Sequence, residues 1–187
     1  MNKVIAVMFV TTLVGSAVAI AQDALQISST GLGAAKIGMN VEDVQKALGR
    51  KLTFLPLPEG AGDSQYTCPP ATAEGLDGVS FEFREGKLLE ATVTNPSITT
   101  KSGIRVGDRE NNVIKKLKGD PTYSRHEGRH NDAYKYIRVG KFVRTGGTER
   151  DPELVGTILE FFSVNGVVKS ISAGEAIYFF YDDLCVF

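Results

Sequence analysis

The sequence predicts an α+β fold in which two tandem repeats, each a short helix packed on antiparallel strands, form a curved sheet. Residues 35–48, AKIGMNVEDVQKAL, align without a gap with residues 104–117, IRVGDRENNVIKKL. Downstream of each copy, residues 78–93 and residues 156–172 both contain two alternating runs separated by a polar residue and a glycine, which is typical of a β-hairpin. Self-similarity in two successive pieces indicates a repeated structural unit.

The chain opens with a segment typical of a cleavable secretory signal peptide, residues 1–21. A positive charge at Lys3 precedes an apolar run and then small residues that end at Ala21, the order that signal peptidase recognises. Cleavage after Ala21 leaves a mature chain that starts at Gln22, and cleavage after Ala19 is the alternative. The apolar run is shorter than the roughly 20 residues that span a bilayer, and no cysteine near the cleavage site can accept a lipid. We therefore expect a periplasmic or secreted protein with no membrane span or lipid anchor.

Repeat 1, residues 22–97, is expected to begin with strand and helix. Asn40 is a good N-cap residue, and Val44 and Leu48 fall on one helical face. The segment that follows is rich in proline and glycine and predicts irregular extended chain. The repeat then ends in the hairpin of residues 78–93.

Repeat 2, residues 98–187, keeps the apolar helical face, but Arg109 occupies the position that matches Asn40. We therefore expect the helix cap to shift to Asp108. Residues 122–126 and 133–139 flank a polar stretch and predict an additional hairpin.

A second hairpin is predicted in repeat 2 at Asn165 and Gly166, because both residues tolerate a positive φ. The final run, residues 176–187, is dense in aromatic side chains and predicts a buried strand held by Cys185.

Charge and cysteine content narrow the classes of partner. The chain has 21 Lys and Arg against 22 Asp and Glu, a balance that argues against nucleic acid recognised through bulk charge. Its two cysteines are Cys68 and Cys185. In an oxidising compartment such a pair normally joins, so we predict one disulfide bond between them. A catalytic thiol has no local support, since Cys68 precedes two prolines.

Residues 126–130, HEGRH, formally match the metalloprotease pattern of two zinc-binding histidines and a glutamate base. That pattern works only on a helix, which brings both histidines to one face. Gly128 within the motif and Pro121 upstream of it favour a polar loop, and the chain has no third histidine. We expect no cofactor and no catalytic site. His126 and His130 are candidate metal ligands only for an alternative function, a small metal-dependent hydrolase.

A candidate protein-binding face follows from strand alternation. On a strand, Tyr134, Tyr136 and Arg138 share one face, and Ile137 and Val139 lie on the other. Tyrosine and arginine often carry the binding energy at protein interfaces. If the aliphatic pair faces the helices, the tyrosines point outward and are available to a partner. The alternative is that the tyrosines merely cover the sheet.

The two helix segments also resemble a known repeat. A strand, then Gly-Met-Asn or Gly-Asp-Arg, a short helix that ends in Leu and an antiparallel sheet are similar to the unit of the beta-lactamase inhibitor protein family and of SmpA/OmlA-like outer-membrane-assembly lipoproteins. Residues 98–117, ITTKSGIRVGDRENNVIKKL, a late cysteine and Ser-Ala-Gly at 172–174 resemble an uncharacterised family of periplasmic proteins from Gram-negative bacteria. The resemblance implies two tandem units with a curved sheet that grips another protein. The chain lacks the lipidated cysteine of the assembly lipoproteins, which argues against a role in outer-membrane assembly.

The sequence thus predicts an exported, non-enzymatic protein-binding module, either an inhibitor or an envelope interaction factor. Its expected partner is another protein, with no nucleic acid involved. Two other functions stay open: the hydrolase built on HEGRH, and a structural envelope factor that has no single tight partner.

Overall fold

The computed structural model describes residues 25–57, 68–117, 124–127, 134–147 and 152–180. The expected signal peptide, residues 1–21, lies outside these ranges. Within them, every helix is too short or too polar to cross a membrane.

The described residues form strands and helices in an α+β arrangement. In chain order the elements are β1 (Gln26–Ser28), β2 (Gly31–Leu32), β3 (Ala35–Lys36), α1 (Val41–Leu48), β4 (Leu52–Phe54), β5 (Pro70–Ala73), β6 (Val79–Arg84), β7 (Lys87–Val93), β8 (Thr99–Thr100), α2 (Glu110–Leu117), β9 (Ser124–Glu127), β10 (Tyr134–Gly147), β11 (Pro152–Val164), β12 (Val167–Glu175) and α3 (Ala176–Phe180).

Eight strands form one antiparallel sheet in the order β4-β5-β6-β7-β12-β11-β10-β9, and β3-β2-β1-β8 form a smaller sheet. The predicted α+β class is therefore confirmed. Among the described elements, helix α1 is followed by four strands of the large sheet, β4 to β7, and α2 is followed by the other four, β9 to β12. The short strand β8, which lies just before α2 in the chain, belongs to the small sheet. The last strand of each group, β7 and β12, pair at the centre.

The start of each helix is tied to its own hairpin in the same way. Two backbone hydrogen bonds join the residues before the helix to one residue of the second hairpin strand. They connect Gly38 and Met39 to Leu88 at 2.8 and 2.7 Å, and Gly107 and Asp108 to Val168 at 2.9 Å each. This correspondence supports the division into repeat 1 and repeat 2, which stays a prediction.

Helix α1 has the N-cap that its sequence predicts, and a glycine ends the helix. The backbone amide of Asp43 donates to the side-chain oxygen of Asn40 at 2.8 Å. Gly49 adopts the left-handed conformation at the other end, with φ 62°, and its amide donates to the carbonyls of the last turn. Both caps satisfy backbone groups that a helix end leaves unpaired.

Helix α2 is not capped by Asp108, so that prediction is wrong. The helix begins at Glu110, directly after Arg109. The Asp108 carboxylate instead accepts a hydrogen bond from the Arg105 backbone amide at 3.3 Å and forms a salt bridge with Lys116 at 3.2 Å. The Glu110 amide donates to the carbonyl of Gly166 at 2.9 Å. The turn between β11 and β12 thus accepts a hydrogen bond from the first amide of α2. The sequence around α2 could not predict this contact, because the turn is distant in the chain.

Both predicted main hairpins are confirmed, and each turns through two residues with positive φ. These are Glu85 (52°) with Gly86 (73°), and Asn165 (51°) with Gly166 (74°). Positive φ at both turn positions matches the right-handed twist of the flanking strands. The additional hairpin is also present, because β9 pairs antiparallel with β10.

The unfavourable residue in these turns is Glu85, since a side chain with an ordinary Cβ is strained at positive φ. We expect Glu85→Asn to raise the free energy of unfolding by about 0.5–1 kcal/mol, because asparagine tolerates this region better. Urea denaturation checks the result, and the reverse change Asn165→Glu in the other turn should lower stability by a similar amount. Loss of stability in Glu85→Asn would contradict the turn assignment.

The main core lies between the large sheet and helices α1 and α2. One face of the sheet contributes aromatic and aliphatic side chains, and each helix contributes valine or leucine. The fully buried members include Phe81, Phe161, Ile137, Ile171, Val44 and Val113.

The predicted C-terminal strand is wrong over the residues that can be described, because Ala176–Phe180 is the helix α3. Strand β12 makes its last pair between Glu175 and Thr157. Beyond it, Ala176 and Phe179 lie three residues apart and pack together against Ile158. Helical spacing brings both onto one face, which buries them without a strand partner. Residues 181–187 lie outside the described chain.

Candidate protein-binding face

Strand β10 separates its side chains as alternation predicts. Ile137 and Val139 are buried in the core that also contains residues of α1 and α2. Tyr134, Tyr136 and Arg138 therefore lie on the opposite face of the large sheet. Tyr134 is 42% exposed, Tyr136 is half-buried, and the Arg138 side chain is mostly buried.

Phe162 joins the two tyrosines to form what we call the aromatic cluster, Tyr134, Tyr136 and Phe162. The ring of Phe162 stacks on Tyr134 with centroids 6.0 Å apart and planes 12° apart. It also contacts Tyr136 at 5.1 Å in a tilted arrangement. Offset contacts of this kind favour aromatic pairs beyond the area that they bury. Phe162 was missed by sequence reasoning because it reaches Tyr136 only through the β10–β11 register.

Arg138 is held beside the aromatic cluster by two interactions. Its Nε donates to the carboxylate of Glu160 at 2.5 Å, and both side chains are mostly buried. Its guanidinium carbon lies 5.5 Å from the centroid of the Tyr136 ring, within the range of a cation–π contact. The arginine therefore presents a fixed rather than a freely rotating charge.

A row of polar side chains crosses the same face next to the cluster. Strand register aligns the members from β4 to β10 in the order Thr53, Thr72, Ser80, Thr92, Ser172, Glu160 and Arg138. The hydroxyl oxygens of Thr92 and Ser172 are 2.8 Å apart, and Thr92 also donates to Glu90 at 2.7 Å. Polar groups with their own hydrogen bonds thus border the aromatic cluster.

The sheet face that carries the aromatic cluster is partly covered. Helix α3 lies on it, since a Cβ placed on Gly174 would meet the Phe179 ring at 2.8 Å. Glu90, Glu160 and Ser172, near the centre of the face, are each only 7% exposed. Helix α3 and these buried polar groups therefore leave only part of this face open. The end formed by the aromatic cluster is a part of the face that stays accessible, with Tyr134 exposed.

The HEGRH segment is not helical where it can be described. Strand β9 includes His126 and Glu127, which are paired in register with Tyr136 and Lys135 of β10. His130 lies outside the described residues. Within the described ranges, no group of three or more His, Cys, Asp and Glu side chains is arranged so that it could hold a metal ion.

Of the predicted disulfide, only Cys68 can be described. It is completely buried beside Leu89, and no cysteine in the described part of the chain is a free thiol. Cys185 lies outside the described residues, so its pairing with Cys68 stays a prediction.

The fold and the face together define an α+β protein with an aromatic and cationic patch at one end of an eight-stranded sheet. No protein-family model matches the chain, and no curated protein matches it significantly. A solved structure of the uncharacterized protein yfeY from Escherichia coli is similar, with 11% identity and a TM-score of 0.42, over 80% of this chain and 99% of that chain. An extracellular protein containing a SCP domain from Bacillus anthracis is similar with 11% identity and a TM-score of 0.39, over 77% of this chain and 45% of that chain. At these values neither protein's properties transfer to this chain.

Proposed function

We propose that the chain is an exported, non-enzymatic protein-binding module whose partner docks on the aromatic cluster. The observation that carries the proposal is Tyr134, exposed at the sheet end yet stacked on Phe162. A docking residue that is already held in place loses little conformational entropy on binding. Whether the bound partner is inhibited or anchored in the envelope depends on the identity of that partner.

The surroundings of the cluster fit an interface. Tyrosine and arginine are enriched among residues that dominate binding energy, in patches bordered by polar groups that exclude water. Here Arg138 and the polar row border the aromatic rings on one side. The competing hydrolase is less well supported, because Ser124–Glu127 is a strand and the zinc motif requires a helix.

Export is proposed from residues 1–21 together with Cys68. The buried cysteine that is not a free thiol suits an oxidising compartment. A periplasmic or secreted location follows from this proposal, and so does the choice of extract in which to seek the partner.

Loss of both tyrosine rings tests the function. We expect the mature chain to retain a stoichiometric partner from a periplasmic extract, and Tyr134→Ala combined with Tyr136→Ala to weaken that complex by about thirtyfold or more, the effect of losing about 2 kcal/mol at a binding hot spot. Surface plasmon resonance with the purified partner measures the change.

The matched control removes exposed apolar groups elsewhere. Val143→Ala with Val155→Ala truncates two exposed side chains that pair across β10 and β11 on the other face of the sheet. It should leave the affinity within about twofold, because scattered surface residues contribute little. Equal binding by the tyrosine variant and the wild type, with both folded by circular dichroism, would refute the docking site.

A further inference from the structure

Leu89 is a buried leucine that lies outside the main core. The preceding residue, Leu88, pairs with Phe83 and is fully buried in that core. Leu89 is only 3% exposed, yet it packs with Cys68 in a separate cluster. It occupies a β-bulge of strand β7, an irregularity that turns a side chain in a new direction. Since the core fills the side of the sheet that faces α1 and α2, Leu89 and Cys68 lie on the opposite face, which carries the aromatic cluster.

The described apolar side chains do not account for the burial of Leu89. Its one buried neighbour among them is Cys68, whose side chain is smaller than that of leucine, and a fully buried residue usually touches about six others or more. The ring of Phe179 is near, since it and the Leu89 carbonyl oxygen lie 2.8 and 2.9 Å from a Cβ placed on Gly174. However, Phe179 packs with Ile158 in a different cluster. The burial of Leu89 thus points to a further segment of chain above it.

The polar residues beside Leu89 are buried in the same way. Glu90, next in sequence, is only 7% exposed, and so is Ser172 of the neighbouring strand β12. Polar side chains on the open face of an antiparallel sheet are normally in contact with water. The covered area therefore extends from β7 to β12.

The segment that follows α3 has a composition that suits such a cover. It comprises residues 181–187, YDDLCVF, which lie outside the described residues. Four of its seven residues are apolar or aromatic, and Cys185 is the predicted disulfide partner of Cys68. Because Cys68 packs with Leu89, that disulfide bond would bring the segment to the place where the described chain gives too little cover.

Helix α3 ends close enough for this segment to reach the Cys68 cluster. The helix lies over Gly174, which pairs with Glu90, the residue after the one that Cys68 contacts. Neighbouring strands are about 5 Å apart. Five residues lead from Phe180 to Cys185, and an extended chain of that length spans up to about 17 Å. The segment is therefore long enough without any change in the described strands.

We propose that residues 181–187 form a strap that covers Leu89 and Glu90 and is held by a disulfide bond between Cys185 and Cys68. Burial of apolar side chains against Leu89 favours the closed strap. A dithiol reductant opens it: the dithiol loses two electrons and two protons and becomes a disulfide, and the two cysteines gain them and become thiols. The open strap exposes the centre of the face beside the aromatic cluster. The strap does not depend on the proposed protein-binding function.

Hydroxyl-radical footprinting of the mature chain, read by mass spectrometry, tests the strap before and after treatment with dithiothreitol. Reduction should raise the labelling of Leu89 about fivefold or more, because local opening makes a protected group accessible. Leu88 is the internal control, since it is buried in the main core and should stay protected. Unchanged protection of Leu89 after the disulfide bond has been reduced overturns the strap. An equal rise at Leu88 would mean that the whole fold opens, and it overturns the strap as well.

Two variants separate the cover from the disulfide bond without a reductant. Deletion of residues 181–187 should raise the labelling of Leu89 about fivefold or more. Leu184→Ser with Val186→Ser keeps both cysteines and should raise it about twofold or more, because the strap then offers less apolar surface. If Leu89 stays protected in the deletion variant, and Leu88 with it, another part of the chain buries Leu89 and the proposal fails.

A matched control and a disulfide map make the result specific. Val143→Ser with Val155→Ser changes two valines that are exposed elsewhere and should leave the labelling of Leu89 unchanged. Peptide mapping without reduction should join the peptides of Cys68 and Cys185 within one chain, and a bond between two chains overturns the strap. Neither measurement involves a partner, so failure of the strap leaves the proposed function intact.

Discussion

Phe161→Ala is expected to lower the free energy of unfolding by about 3–5 kcal/mol, the usual cost of truncating a buried phenylalanine. Phe161 is fully buried and stands between Ile137 and Ile171 in the register of three adjacent strands. Its removal leaves a cavity that the paired strands cannot close. Since small proteins are stable by only about 5–15 kcal/mol, this is a large fraction of the total. Urea denaturation followed by circular dichroism measures the loss.

Two comparisons make the Phe161 result specific. Val155→Ala, on the same strand but 59% exposed, should change stability by no more than about 0.5 kcal/mol. Phe81→Ala, whose residue lies four positions before its hairpin turn as Phe161 does, should fall in the same range as Phe161→Ala, because Phe81 is also fully buried. A loss below about 1 kcal/mol for Phe161→Ala would mean that the core is not arranged around this strand.

Arg138→Met is expected to cost about 3 kcal/mol, because it removes the guanidinium partner of a carboxylate that is mostly buried. The Arg138 and Glu160 side chains are 13% and 10% exposed, so solvent screens their interaction only slightly. Stability measured at neutral pH by chemical denaturation tests this value. Glu160→Met alone should have a cost of similar size for the reciprocal reason.

The double variant identifies the interaction itself. Arg138→Met with Glu160→Met removes both charges, and replacing a buried ion pair by apolar side chains is often neutral or stabilising. We therefore expect the double variant to be less destabilised than the sum of the single variants by at least about 1 kcal/mol. Additive losses would show that the two side chains do not stabilise one another.

The candidate site was partly accessible from sequence. Alternation alone placed Tyr134, Tyr136 and Arg138 on one face, because successive strand residues point to opposite sides. The side chains that these residues contact could not be predicted from the sequence. Phe162 and Glu160 contact them across the β10–β11 pairing, and register between strands depends on the whole sheet.

The secondary structure shows a similar division between local and distant causes. Asn40 capped α1, and both polar-glycine pairs formed turns, because caps and turns are determined by a few neighbouring residues. The predicted cap at Asp108 did not form, and the Glu110 amide instead donates a hydrogen bond to the carbonyl of Gly166, which is distant in sequence. The expected final strand became α3, where Ala176 and Phe179 pack on Ile158.

The sequence by itself therefore determined the α+β class, helix α1 and its N-cap, the hairpin turns and the face on which the tyrosines lie. Each of these depends on interactions between residues close together in the chain. Only the tertiary structure decided what covers that face and which side chains Arg138 and Tyr136 contact. Those features depend on which distant strands pair and in what register. Backbone hydrogen bonds form between strands of almost any sequence, so a single sequence does not show which distant strands will pair.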